Sequence, residues 1–266
     1  MTGSLLLEYN GSTQKTKERL NRMAEWLNTV FGGMDASVFA FMHGLAESAG
    51  SLFTFLASFF TLLYEKGIVA ILLGLVLILF KKTRPIGICM IGAVGLGAII
   101  TNLTLKELVE RTRPYLANET FRGYWEYLKV AGDAEFSFPS GHATASMAAA
   151  TALFLTGKKK WSWVGFPVAI LVAASRVYLI MHYTSDVLAG MLVGLFSGAV
   201  AYGITVLLYR IAEKYRDKGF FRFALNFDLP ELFKKKPAEA AETAKEQEET
   251  PKDSEEPAGE EPKQDS

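Results

Sequence analysis

Three short stretches of this 266-residue chain hold polar residues that apolar surroundings tolerate only when they have work to do. "KELVERTRP" brings Lys106 and Arg113, "FPSGH" brings Ser140, Gly141 and His142, and "SRVYLIMHYTSD" brings Arg176, His182 and Asp186. Lys106 and Arg113 stand seven residues apart, two turns of a helix, and are expected on one side of it. Arginine donates two parallel hydrogen bonds to a phosphate from its planar fork, and lysine adds a point charge. Ser140 and Gly141 stand where a helix is expected to begin, and free N–H groups and the positive dipole end there favour phosphate oxygens. Gly141 permits close backbone approach, and Pro139 fixes the preceding turn. Three cations brought together in a membrane call for an anion to neutralise them.

Two of the chain's three histidines fall in these stretches. Phosphoryl transfer needs an in-line nucleophile and a proton donor for the leaving oxygen, and histidine serves in either role near neutral pH. Asp186 lies four residues beyond His182, on the same face if the backbone there is helical. It would accept the proton of one ring nitrogen and leave the other lone pair free to attack. His182 is thus the expected nucleophile, His142 the expected acid and Asp186 the residue that orients His182.

The elements that must position these residues are apolar helices. Half of the residues are apolar and 12% aromatic, and the charges are segregated. Residues 237–266 hold eleven carboxylates against three lysines, a net of −8, so the rest carries +8. That tail is too acidic and too poor in apolar residues to fold, and is expected to be disordered, its partner unknown. Six apolar stretches are marked: Ser37–Leu63, Gly67–Phe80, Pro85–Leu105, Ala143–Leu155, Trp161–Met181 and Ser185–Tyr209. Crossing the hydrocarbon takes about 20 residues, so the second and fourth are short, and five is the alternative count. The basic segments "KKTR", "KKK" and "RIAEKYRDKGFFR" fall on one face if there are six spans, together with the N-terminal lysines and arginines. Both termini are then cytoplasmic, and the three polar stretches gather on the extracytoplasmic face.

The fold class expected is all-α, a polytopic membrane bundle of about six transmembrane helices with an N-terminal amphipathic helix. The expected divisions are an interfacial segment (1–34), a transmembrane domain (35–210), a basic juxtamembrane segment (211–236) and the acidic tail (237–266). The amphipathic helix fits the membrane surface and a cap on the bundle equally well. The single cysteine, Cys89, excludes an intrachain disulfide and reads as a small buried apolar residue. The first fourteen residues lack the basic-then-apolar layout of a cleaved signal. Gly190 and Gly194 suggest close helix packing, within the bundle rather than between protomers, although a homodimer stays open. His43 reads as a packed or interfacial residue, Arg111 as a solvated charge, and the two Asn-X-Ser/Thr sites as chance matches. The aromatic-rich connection Tyr115–Phe138 reads as a lid, a substrate wall or an interfacial loop.

These residues resemble the type-2 phosphatidic acid phosphatase superfamily, which includes the vanadium haloperoxidases. Its signatures match at Lys106, Arg113 and Pro114; at Pro139, Ser140, Gly141 and His142; and at Ser175, Arg176, His182 and Asp186, with no departures. The resemblance covers about Asp35 to Tyr209. It implies a metal-independent phosphatase of the integral-membrane branch, without cofactor, working through a phosphohistidine on His182. Lys106, Arg113, Ser140, Gly141 and Arg176 would hold the phosphate. The substrate expected is a lipid phosphate, undecaprenyl diphosphate first, with phosphatidylglycerol phosphate and phosphatidic acid behind it. A phosphotransferase of the same fold and a phosphate-binding scaffold are the rivals. No nucleic-acid partner is expected. A lipid-embedded chain argues against a haloperoxidase.

Overall fold

The computed structural model describes residues 2–231, with side chains from residue 22 onward except those of Lys66 and Lys159. The acidic tail, residues 237–266, and the end of the basic segment lie outside the described residues. All described residues in regular structure are helical. The helices below belong to the first of two compact units, which runs to Phe227.

Helix α1 (Thr2–Leu63) bends at Ala49, whose backbone (φ −151°, ψ 47°) leaves the helical region one residue before Gly50. A single 3₁₀ turn, Glu65–Gly67, leads into α2 (Ile68–Ile78). α3 (Arg84–Ala98) continues through a π-helical stretch, Ile99–Leu105, into α4 (Lys106–Val109). Two short helices follow, α5 (Pro114–Ala117) and α6 (Glu119–Leu128), then α7 (Gly141–Thr156) and α8 (Lys159–Ser162). The series ends with α9 (Gly165–Tyr178), α10 (Thr184–Lys214) and α11 (Gly219–Asn226).

Each of the six apolar stretches falls on a helix, but their lengths differ. Among the described residues, four runs are long and apolar enough to cross a membrane: Arg22–Leu63, Arg84–Ala117, Lys160–Tyr178 and Thr184–Lys214. α2 has 11 residues and α7 has 16, short of the ~20 a full crossing takes. α7 is short because it meets protein on every side. Ala143 to Ala152 are buried without interruption, and α3, α9 and α10 pack around them. Its alanines and small hydroxyl residues let those neighbours come close.

The closest approach is that of α10, through a row of glycines. A Cβ at Gly190 would lie 2.5 Å from the Ser140 carbonyl oxygen, and one at Gly194 2.6 Å from that of Thr144. In lipid, where apolar side chains gain little by leaving their solvent, such backbone contact supplies the van der Waals energy that holds helices together. Gly190 and Gly194 therefore serve packing inside this chain. The same contact brings the N-termini of α7 and α10 together, and the Ser140 N–H donates to the Asp186 carbonyl at 3.0 Å.

The N-terminal segment is not set apart at residue 35. The helix runs on without a break there and bends further along, at Ala49. Met23, Trp26 and Val30 are exposed while Leu27 is buried, so one face of this stretch packs on the bundle. At the other end, buried Arg84 donates to the carbonyls of Ile78 (2.9 Å), Ala224 (2.6 Å) and Phe227, tying α11 to the start of α3.

Candidate active site

A cavity of about 560 Å³ lies over the N-terminus of α7. Lys106, Arg113, Gly141, His142, Arg176 and His182 line it, with Glu65, Asp133 and Glu135 beside them. Ser140 and Asp186 do not line it. Both are fully buried, and the Ser140 hydroxyl caps α7, facing the Ala143 N–H at 3.5 Å.

Lys106 and Arg113 reach the cavity by a route other than two turns of one helix. α4 ends at Val109, Glu110 turns left-handed (φ 50°), and Arg113 is extended (φ −65°, ψ 151°) ahead of Pro114. A residue before proline is pushed out of the helical region by the ring, so the proline of the motif ends the helix. The break swings the Arg113 guanidinium back over the cavity.

His182 sits in a tight turn after α9, where the N–H groups of Met181 and His182 both donate to the Arg176 carbonyl. Its two ring nitrogens have unlike partners. Nδ1 lies 2.8 Å from the Ser137 carbonyl, which only accepts, and Nε2 lies 3.3 Å from Arg113 Nη1, which only donates. The proton is therefore on Nδ1, and Nε2 keeps its lone pair. Burial, then the positive charges of Arg113, Arg176 and Lys106, hold the imidazole well below its ordinary pKa and hence neutral.

Asp186 does not grip His182 directly, as its spacing had suggested. Its Oδ2 is 3.7 Å from His182 Nδ1 and accepts instead from the Ser137 hydroxyl and from the Tyr183 N–H at 3.0 Å. Ser137 joins the two, its hydroxyl on the carboxylate and its carbonyl on the ring. The reason is geometric. His182 lies ahead of α10 and Asp186 is the third residue inside it, so the carboxylate folds back to cap the helix.

Arg111 is not a solvated charge. It is 1% exposed, stacks 3.8 Å from the Tyr183 ring centroid, and donates to Asn28 (2.9 Å), Ser185 (2.8 Å) and Asp186. Its remaining nitrogen faces Asp35, also 1% exposed, at 3.4 Å. A charge this deep must be paired, and two carboxylates pair it. The cue in the sequence is Asp35 itself, a carboxylate at the head of an apolar stretch.

The anions that neutralise the three cations are the protein's own. Asp133 lies 2.8 Å from Arg113 and 3.9 Å from Arg176, and Glu135 holds Lys106. Burial alone would raise the Asp133 pKa, but the Arg113 guanidinium, with help from the Glu135 N–H, Arg176 and Lys106, brings it below the usual carboxylate range. The Tyr115 hydroxyl fixes the loop, donating to the Asp133 carbonyl (2.7 Å) and accepting from its N–H (2.9 Å). The connection that carries them is a packed wall: α6 lays Phe121 on Phe39 and Tyr124 on His43. Asn118 caps α6 through its side chain. Arg176 Nε has no hydrogen-bond partner among the described residues.

This arrangement, a helix N-terminus, three cations and a histidine lone pair around one cavity, fits a tetrahedral anion and a nucleophile aimed at it. Residues 86–210 match the family model of the PAP2 superfamily. Over that stretch, just under half of its length, the chain is similar to the PAP2 superfamily. The matched region holds α4 to α9 whole, nearly all of α3 and α10, and every lysine, arginine, serine, glycine, histidine and aspartate of the three motifs.

The chain is similar to the undecaprenyl-diphosphatase of Sulfolobus acidocaldarius, 38% identical over 120 residues, 44% of this chain and 54% of that protein. The match thus spans about half the length of that relative. It is also similar to phosphatidylglycerophosphatase B of Bacillus subtilis, 28% identical over 54% of this chain and 70% of the relative. Undecaprenyl-diphosphatase BcrC of the same species is 27% identical over 66% and 86%. Among solved structures, the transmembrane PAP2 type phosphatidylglycerolphosphate phosphatase from Bacillus subtilis aligns with a TM-score of 0.37 and 24% identity, over 64% of this chain and 94% of that one. With four long apolar helices among its described residues, this chain is a membrane protein.

Proposed function

We propose that this protein is an integral-membrane lipid phosphatase working through a phosphohistidine on His182, with undecaprenyl diphosphate as its first substrate. The observation that carries the reading is a buried, neutral His182 whose free Nε2 meets Arg113 at the edge of a cavity that Lys106 and Arg176 also line. The names of the Sulfolobus relative and of BcrC favour the diphosphate. That of phosphatidylglycerophosphatase B favours a second reading, phosphatidylglycerol phosphate.

In the proposed reaction, the substrate phosphate takes Lys106, Arg113 and Arg176 from Asp133 and Glu135. Its oxygens also meet the first-turn N–H groups of α7 at Gly141 and His142. His182 Nε2 attacks phosphorus, and the bond to the leaving oxygen breaks as protonated His142 gives that oxygen its proton. The Ser137 carbonyl, bonded to Nδ1–H, stabilises the charge that grows on the His182 ring. Water then attacks the phosphohistidine, His142 takes its proton, and His182 leaves with its lone pair. Free phosphate and a lipid one phosphate shorter are the products. Asp186, bound through Ser137, and Arg111 behind it hold the ring in register.

The topology that goes with this chemistry has six spans, both termini in the cytoplasm and the cavity on the extracytoplasmic face. Its support is the run of basic segments between alternate helices. The protein sheath around α7 lets so short a helix serve as a span. The test is phosphate release by the purified protein from undecaprenyl diphosphate, phosphatidylglycerol phosphate and phosphatidic acid. The diphosphate is expected to give the highest kcat/KM, and His182→Ala is expected to abolish release from all three. Full activity in His182→Ala overturns the mechanism.

A further inference from the structure

The imidazole assigned as proton donor has a carboxylate of its own, outside the three motifs. Glu65 sits in the 3₁₀ turn between α1 and α2 and lines the cavity. Its Oε2 lies 3.5 Å from His142 Nε2, and that nitrogen is buried with no hydrogen bond to any described residue. The turn is held in place: Gly67 takes φ +73°, and its N–H donates to the Tyr64 carbonyl at 3.1 Å. A Cβ there would lie 2.9 Å from Val94, so the turn cannot readily shift.

The cations around His142 work against a positive ring, and among the connection's carboxylates Asp133 favours it. Lys106 on α4, Arg113 ahead of α5 and Arg176 on α9 share its cavity, and His182 faces it as well. Asp133 and Glu135, from the connection, are engaged with those cations. Glu65 has no other ion pair among the described residues, and its side chain is 47% exposed.

We propose that Glu65 is a positioning residue that holds the proton on His142 Nε2 until a leaving oxygen takes it. The inference rests on the reading of His142 as the donor. Each turnover needs the imidazolium at its start, and the same carboxylate stabilises it again when His142 has drawn a proton from water. A carboxylate at this distance raises the pKa of a histidine by roughly one pH unit or more.

The test is the pH dependence of kcat for the full-length protein in detergent, with undecaprenyl diphosphate, over about pH 5 to 9. In Glu65→Gln the alkaline limb is expected to move down by about one pH unit, a tenfold loss on the alkaline side with little change on the acid side. Glu65→Asp is expected to restore most of the limb. Thermal unfolding followed by circular dichroism should match the parent in both variants and so reports on folding. A Glu65→Gln profile that superimposes on the parent, or an equal loss at every pH, overturns the inference and leaves the phosphatase reading standing. A parent protein that releases no phosphate overturns both.

Discussion

His182 and Arg111 show how much one side chain's partners decide. The tautomer of His182 follows from a carbonyl on one nitrogen and a guanidinium on the other. Arg111 pairs two carboxylates that are 1% and 0% exposed. Arg111→Met leaves both unpaired, and a loss of about 3–5 kcal/mol is expected in denaturant unfolding. Asp133→Asn removes an anion that competes with substrate for Arg113 and Arg176, so the Kd for vanadate is expected to fall by roughly tenfold, as for the loss of a close charge pair. Because Arg113 helps to hold the Asp133 pKa below the usual carboxylate range, the parent carboxylate stays charged at neutral and mildly acid pH. The gain in Asp133→Asn is therefore expected across neutral and mildly acid pH, and vanadate titrations at several pH values check it. The motif residues were legible from their types and spacing. Arg111, Asp133, Glu135 and Glu65 were not, because their partners lie far away in sequence.

The helices divide by what surrounds them. Membrane-facing helices announce themselves by length and hydropathy, and α1, α3 and α10 were plain. α7 was marked as apolar but short, and only the structure shows that its 16 residues are sheathed by neighbouring helices. The glycine row on α10 was visible as spacing, while its counterpart on α7 was not. Gly194→Val puts a branched side chain against the Thr144 carbonyl and Met147, 2.6 and 2.8 Å from the new Cβ. Overpacking of this kind costs about 1–3 kcal/mol, expected as a lower midpoint in thermal unfolding followed by circular dichroism. The reading of Lys106 and Arg113 on one helix failed for a local reason. Pro114 and the left-handed Glu110 end the helix between them.

Across the molecule, the charged loops sort into two groups. Lys160 lies on α8, just after α7, and Glu126 on α6, in the connection before α7, and both are exposed. A cysteine placed at Lys160 is expected to react with a membrane-impermeant maleimide only after the cells are opened, and one at Glu126 in intact cells. Cys89 is buried and gives little background. Labelling of both from the same side would rule out the six-span topology.

The sequence by itself determined the helical class, the apolar stretches and the chemical character of the site. Those depend on composition, on near-neighbour periodicity and on motif spacing, all of which are local. Tertiary structure decided which carboxylates meet which cations, where Asp186 directs its oxygens, and which nitrogen of His182 is free. Each of these is a contact between residues far apart along the chain. A buried charge takes whatever partner the packing brings within reach, and no spacing along the chain records that distance.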